Sequence, residues 1–400
     1  MTEFYPVDVR AGPANVRGSV RGRAIRGLRG KTQPRSAGIV LAMRPPKEAS
    51  MKAWILVTVA LTLLWTSEAL AAPTAHFTAR KIQGSTCVAP CAVHFDAIGD
   101  GQNETTDPTF TREFHSLQFL WTFGDPGKGA WPHSGVDKNT AVGGIAGHLY
   151  DTPGTYSVTL TVVNPNGETA VHTESVVVAS ADDVFDDANT FCFATDGNDW
   201  SGCPLDCAGG NDNCTVISNF LQAMSQGDNC VGQSDCADAD TQARRILLRR
   251  GDTFTGQTQT ILSNTGAPSL MQGFGTGNDP LIMGQGRVDW GSGWTVTGVD
   301  LQSGQTILLG SAIDNVTFYA VDAAFGQDCI MEWASSTSGG FGRLHAFIDV
   351  NCTGSGTTAY ASWPGADYAL WMGGTFDKNG GTASSLRSIH MQHYLIQHTR

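Results

Sequence analysis

Apolar and polar residues alternate with period two through much of the stretch from about residue 73 to residue 179. Tyr156, Val158, Leu160 and Val162 alternate with Ser157, Thr159 and Thr161, as in a strand with one face in a core and one in water. Pro153-Gly154 just before it is a turn signal, because proline presets one dihedral and glycine takes the positive one. Leu117–Asp125 reads as a second strand ending in a Gly-Asp turn. Ala75–Ala79, Cys91–Ala97 (Val93 and Phe95 on one face) and Thr169–Val178 read as further strands, the last reached through the turn Asn164–Gly167.

The acidic stretch Ser180–Ala188 reads as a linker, and the pattern then changes. Residues 189–400 are rich in Gly, Ser, Thr and Asn, with short apolar alternations between turns. Val316, Phe318 and Ala320 share one face by parity. Ala346, Ile348, Val350 and Cys352 share another, as do Ile389, Met391 and Leu395, with His393 an inward exception. Thr215–Met224 reads as a helix, because Val216, Ile217, Phe220, Leu221 and Met224 form one apolar face. Short strands with small inward residues and Gly-rich turns suit a coil stacked at about 4.8 Å per turn. No strict repeat is visible, so a second sandwich or a jelly roll stays open. No terminal cap is legible at Gln397–Arg400, so the coil reads as incomplete there.

Composition changes the reading of the amino-terminal end. The first fifty residues carry ten Lys/Arg and three Asp/Glu. Met51-Lys52 then opens a mostly apolar run to Trp65, followed by Ala69-Leu70-Ala71. A basic start, a short apolar core and a small-x-small end describe a secretory signal peptide over 51–71. The run is too short for an anchor of roughly 20 apolar residues. Translation is therefore expected to start at Met51, with residues 1–50 a basic leader. The whole chain is at −12; without the leader, 15 Lys/Arg face 34 Asp/Glu. Such a chain repels nucleic acid and anionic membranes and suits calcium, which takes oxygen ligands.

Ten cysteines in a secreted chain read as disulfides. Clustering suggests Cys87 with Cys91 and Cys329 with Cys352. Cys192, Cys203, Cys207, Cys214, Cys230 and Cys236 form a group of open connectivity. Zinc is the rival for Cys203, Cys207 and Cys214, weakened by the lack of a Cys-x-x-Cys pair. Asp196-Gly197-Asn198-Asp199 is calcium-like in composition but reads as an ordinary turn.

Trp121, Phe123, Gly124, Asp125, His148, Tyr150, Pro153, Gly154, Tyr156 and Val158 fit the Trp-x-Phe-Gly-Asp … His-x-Tyr-x-x-Pro-Gly-x-Tyr-x-Val signature of the PKD (polycystic kidney disease) domain. Residues 73–179 resemble that family, which implies an immunoglobulin-like β-sandwich with Trp121 in its core. The Gly-rich insert after Asp125 departs from the pattern, and its Trp131 is the candidate for an exposed, glycan-binding aromatic. A helix, a short strand and Arg250–Phe254 resemble the amino-terminal end of right-handed parallel β-helix proteins, in which such a helix caps the first coil. The fold class expected is thus all-β: a sandwich, then a partial β-helix over 189–400.

The β-helix resemblance implies polysaccharide lyases or glycoside hydrolases, with sites on the outward face of the coil. Outward by parity are His345, Asp349 and Asn351, then His390, Gln392, Tyr394 and His398. His390, Arg387, Asp349 and His345 are the candidate catalytic residues, and Tyr394 joins Trp131 as a binding candidate. A lyase needs a base and a cation beside the uronate carboxylate, a role for Arg or calcium; a hydrolase needs two carboxyl groups. The expected protein is secreted or at the cell surface and binds a polysaccharide or cell-surface glycan. A non-catalytic adhesin is the alternative.

Overall fold

A computed structural model describes residues 72–99, 104–220, 223, 244–256, 259–260, 268–284, 288–303, 307–309, 313–325, 330–333, 342–354, 360–363, 366–377, 391–392 and 395–399. The leader, the expected signal peptide, Arg387, His390, Tyr394 and Cys329 lie outside these residues.

The first part is an antiparallel two-sheet sandwich. One sheet has the order β1 (Thr78–Lys81), β2 (Cys91–Asp96), β5 (Ile145–Tyr150). The other has the order β4 (Thr140–Val142), β3 (Gln118–Thr122), β6 (Gly154–Val163), β7 (Thr169–Val178). The first strand thus begins at Thr78 rather than Ala75. Phe77, Phe95, Trp121, Phe123 and Tyr150 fill the core, and the Trp121 indole N–H donates to the Gly143 carbonyl at 2.7 Å. Side chains of this size each stabilise by about 1.5–3 kcal/mol on full burial. The glycine after Phe123 has a physical cause. Gly124 sits at φ 70°, and a Cβ there would lie 2.5 Å from the Ser157 carbonyl oxygen.

The acidic joint is packed rather than free. Ala181–Val184 makes one helical turn whose preceding Ser180 side chain accepts from the Asp182 N–H. Phe185 is buried with Val88 and Leu270.

The second part is a parallel β-solenoid. Its first face stacks β8 (Thr190–Ala194), β10 (Arg244–Arg249), β13 (Ser269–Phe274), the first halves of β16 (Trp294–Ser303) and β18 (Asp314–Phe325), then β20 (Gly342–Ile348), β24 (Leu370–Met372) and β27 (Leu395–Gln397). The second face stacks β11 (Thr253–Gly256), β14 (Leu281–Gly284), the second halves of β16 and β18, β21 (Asn351–Gly354) and β25 (Thr375–Asp377). A third stacks β12 (Gln259–Thr260), β15 (Val288–Trp290), β17 (Ile307–Leu309), β19 (Ile330–Trp333) and β22 (Tyr360–Trp363). β9 (Cys214–Val216) pairs with β8, and β23 (Ala366–Asp367) with both β20 and β26 (Met391–Gln392).

Left-handed residues turn the corners of the first face. Gly293, Asn315, Leu344 and Tyr368 lie in register at its start, all at positive φ. Gly298, Ala320, Asp349, Gly373 and His398 lie in register at its end, at φ 56°, 51°, 50°, 66° and 61°. Four rungs, 294–297, 316–319, 345–348 and 369–372, run between them.

These corners correct the parity reading. A left-handed residue resets the alternation, so Phe347 shares the interior with Val350 and Cys352, while Ala346 and Ile348 point out of the coil. Ala320 is likewise a corner, not a partner of Val316 and Phe318. The inward residues are large, not small. Phe318 and Phe347 stack at 5.7 Å, and Phe347 and Trp371 at 4.5 Å.

The expected helix begins as strand, at Cys214–Val216. Ile217, Phe220 and Ala223 do join the solenoid core, and the Ala223 N–H donates to the Asn219 carbonyl at 3.0 Å. A capping helix over Thr215–Met224 is not established, and its other residues, Leu221, Gln222 and Met224, lie outside the described ones.

Candidate functional site

The outward side of the first face is covered by the β1-β2-β5 sheet of the sandwich. Ala346, Ile348, Leu370 and Met372 pack against Ile82 and Ala92, with Ile145 and Leu149 alongside. Small residues on the sheet permit this approach: a Cβ on Gly147 would lie 2.7 Å from a Leu370 methyl. The Gln83 amide is buried and donates to the Val88 and Pro90 carbonyls and to the Thr295 hydroxyl, at 2.9, 3.0 and 2.9 Å. The Arg80 guanidinium lies 4.1 Å from the Tyr368 ring centroid.

The insert after Asp125 clasps the corner column. Trp131 is not an exposed platform: it is 5% exposed, because its ring stacks on His398 at 5.2 Å and carries the Lys138 ammonium 4.6 Å from its centroid. Lys138 also donates to Asp349 Oδ2 at 2.9 Å, and His398 Nδ1 meets the Ser134 hydroxyl at 2.8 Å. Burial pushes the His398 pKa down. His345, expected to face outward, is 2% exposed, its Nε2 2.7 Å from the Ile313 carbonyl.

A pocket of about 50 Å³ remains at the junction, lined by Lys128, Trp131, Lys138, His148, Tyr319 and Asp349 among others. It has room for a few waters. Burial, then Asp151 and Asp349, push the Tyr319 pKa up to about 12. The phenol therefore stays neutral.

Among the described residues, the second face is left uncovered. Its outward positions form two in-register columns. Thr253, Leu281, Asp300, Asp322, Asn351 and Thr375 make one; Thr255, Met283, Gln302, Ala324, Thr353 and Asp377 make the other. Partners in adjacent strands lie about 4.8 Å apart, so the polar groups touch. Asn351 Nδ2 donates to Asp322 Oδ1 at 2.8 Å, and the Thr375 hydroxyl donates to Asn351 Oδ1 at 3.0 Å. Asp300 stacks on Asp322. Burial, and then the Asp322 charge, push the Asp300 carboxyl above the usual carboxylate range, against the pull of Arg250. Arg250 itself pairs with Asp279.

The structure therefore brings Asp349 and Trp131 together in a structural clasp, buries His345 in the coil, and leaves Asn351 on the open ladder. Asp300, Asp322 and Thr375 escaped the parity reading. The signal for two of them was present: Val299-Asp300-Leu301, Val321-Asp322-Ala323 and Val350-Asn351-Cys352 repeat one Val-polar-apolar unit, each after a corner.

Cys87–Cys91 closes as expected. Within the group of six, Cys192 joins Cys203 and Cys207 joins Cys214. Cys352 is disulfide-bonded. Asp196 is engaged by Arg249, which with the Asn198 N–H holds its pKa down to about 2, so Asp196–Asp199 is an ion-paired turn.

The signature residues of the sandwich are positioned by one another. His148 Nε2 lies 3.2 Å from Asp125 Oδ2, its ring stacks on Phe123 at 4.6 Å, and the Tyr150 hydroxyl donates to the Phe123 carbonyl at 3.1 Å. The PKD domain family model matches residues 94–177. These residues form a PKD domain. The PKD domain thus supplies both the sheet that covers the first solenoid face and the insert that clasps its corners. Two solved structures are similar to the chain. The PKD1 domain from the Vibrio cholerae metalloprotease PrtV is 23% identical, over 27% of this chain and 98% of that one, with a TM-score of 0.18. The PKD1 domain of Vibrio anguillarum Epp is 19% identical, over 28% and 96%, with a TM-score of 0.19. No curated protein matches the chain.

A PKD domain, a β-solenoid and closed disulfides fit an extracellular protein. No helix among the described residues is long and apolar enough to cross a membrane.

Proposed function

We propose that the protein binds a polysaccharide outside the cell, along the open second face of the solenoid. The observation that supports this reading is the ladder Asp300–Asp322–Asn351–Thr375. It presents carboxylate, amide and hydroxyl groups at strand spacing on a regular exposed surface, and sugar hydroxyls pair with such groups. The first face is closed to a glycan by the PKD domain. Two stacked carboxylates repel an anionic chain, so a uronate polymer needs a divalent cation such as calcium between them, while a neutral glycan does not. Asp300 and Asp322, register partners in adjacent strands, also offer the two neighbouring carboxyl groups that glycoside hydrolysis uses. Hydrolysis is therefore the enzymatic form of this reading.

Affinity electrophoresis of the full chain in gels of neutral and uronate polysaccharides, with calcium or with chelator, tests it. The Asp322→Ala/Asn351→Ala variant should lose affinity by about tenfold or more, roughly 1.4 kcal/mol per decade. Retention of full affinity in that variant, or no retardation of the native protein by any glycan, overturns it. Binding without release of reducing ends or ultraviolet-absorbing products favours the adhesin form.

A further inference from the structure

Four cysteines at the start of the solenoid form a single sulfur cluster. Cys192 and Cys214 are register partners in the parallel strands β8 and β9, so their side chains leave the sheet on the same side. The loop between the strands folds back and brings Cys203 and Cys207 over them. Cys203 Sγ bonds Cys192 and Cys207 Sγ bonds Cys214, yet Cys203 Sγ and Cys207 Sγ, from different disulfides, are only 3.3 Å apart. The sulfurs of Cys192, Cys203 and Cys207 all lie within 4.8 Å of one another; Cys214 Sγ, bonded to Cys207, lies outside that set of three and would have to swing in to complete a tetrahedron. Leu205, Leu247 and Phe274 shield the cluster, with Trp200 against it. The Leu205 N–H points at Cys203 Sγ, 3.4 Å away.

We propose that this cluster, when reduced, is a four-cysteine site for a soft tetrahedral metal ion, with zinc as the ligand. Zinc–thiolate bonds of about 2.3 Å place the four sulfurs of a tetrahedron about 3.8 Å apart. The 3.3 Å pair needs to open by about half an ångström, a distance that side-chain rotation supplies. The apolar shell and the N–H aimed at sulfur favour bound thiolates over free ones. The chemistry balances. Each disulfide takes two electrons and two protons from a dithiol, which leaves as its own disulfide; zinc then displaces the four thiol protons. The disulfide and metal forms exclude each other. Both tie the Trp200–Cys214 loop to β8, so the loop has a fastening before oxidation as well as after it.

The test uses the full chain, reduced anaerobically with a phosphine and titrated with cobalt, then zinc. One cobalt ion per chain should bind with the visible spectrum of a tetrahedral thiolate site and be displaced by zinc. In the native sequence, zinc should protect Cys192, Cys203, Cys207 and Cys214 from alkylation, as mapped on peptides. The oxidised chain and the Cys203→Ser/Cys207→Ser variant should bind none at this site. No tetrahedral spectrum from the reduced chain, or protection of a different set that includes Cys230 or Cys236, overturns the assignment.

Discussion

The two solenoid faces that meet at the Gly298–His398 corner come from the same turns of chain, and one corner residue separates them. Before the corner, both sides of each strand are occupied. Phe318, Phe347 and Trp371 fill the coil, and Ile348, Leu370 and Met372 are covered by the PKD domain. After the corner, only one side is covered, and Asp322, Asn351 and Thr353 stand in water. "Outside the coil" is therefore not one environment. The first face behaves as a core shared by two domains, and the second as an exposed polar surface.

That contrast is broken most directly at Leu370. Leu370→Ala should cost about 2–5 kcal/mol, as for a core leucine, although the side chain points out of the solenoid. Thr353→Ala, outward on the second face, should stay within about 0.5 kcal/mol. Urea melts of the full chain give both values, and equal losses at the two sites would remove the distinction.

The corner itself is sharpened by comparing its glycines. A Cβ on Gly373 would lie 2.2 Å from Asp349 Oδ1 and 2.8 Å from the Trp131 ring. Gly373→Ala should therefore destabilise by about 1–3 kcal/mol. On Gly298 the nearest atom is the far end of Arg250, at 3.0 Å, and the register-equivalent residue in the next coil is Ala320. Gly298→Ala should lower the melting temperature less than Gly373→Ala, and the reverse order would refute the clasp.

The smallest effect is electrostatic. Because the folded Asp300 pKa is raised, the folded state binds its proton more tightly than the unfolded chain. Ionising Asp300 thus opposes folding above its folded pKa, and the cost is relieved as pH falls through that value. Asp322→Asn removes the neighbouring charge and should move the Asp300 titration, followed by NMR, toward the ordinary range. An unmoved midpoint would mean that the ladder carboxylates do not interact.

Much of the sandwich was legible, because a half-buried antiparallel strand shows its inside and outside as alternation and the Trp121–Val158 motif fixes the tight places. The solenoid was legible as a stack of short strands but not as faces. Two causes stand out. Asp349 and His398 hold a conformation usually left to glycine, so nothing marked the reset of parity in His345–Cys352 or at the turn after Gln397. Strands buried on both sides, such as Cys91–Asp96 and 345–348, put apolar residues at consecutive positions (Cys91-Ala92-Val93, Ala346-Phe347-Ile348), which cannot say which side meets which neighbour. Trp131 was misplaced for the same reason: its partners Lys138, Asp349 and His398 are brought to it only by docking of the insert on the coil.

The recurring pair of bends also fixes how such a molecule can change size. The four rungs 294–297, 316–319, 345–348 and 369–372 span the same five-residue step between bends, whereas the excursion that returns the backbone to the next rung varies in length. Insertions are absorbed in those excursions without disturbing the stack, and whole turns can be gained or lost as units. The length of the exposed polar strip is then set by the number of turns rather than by redesign of any one of them.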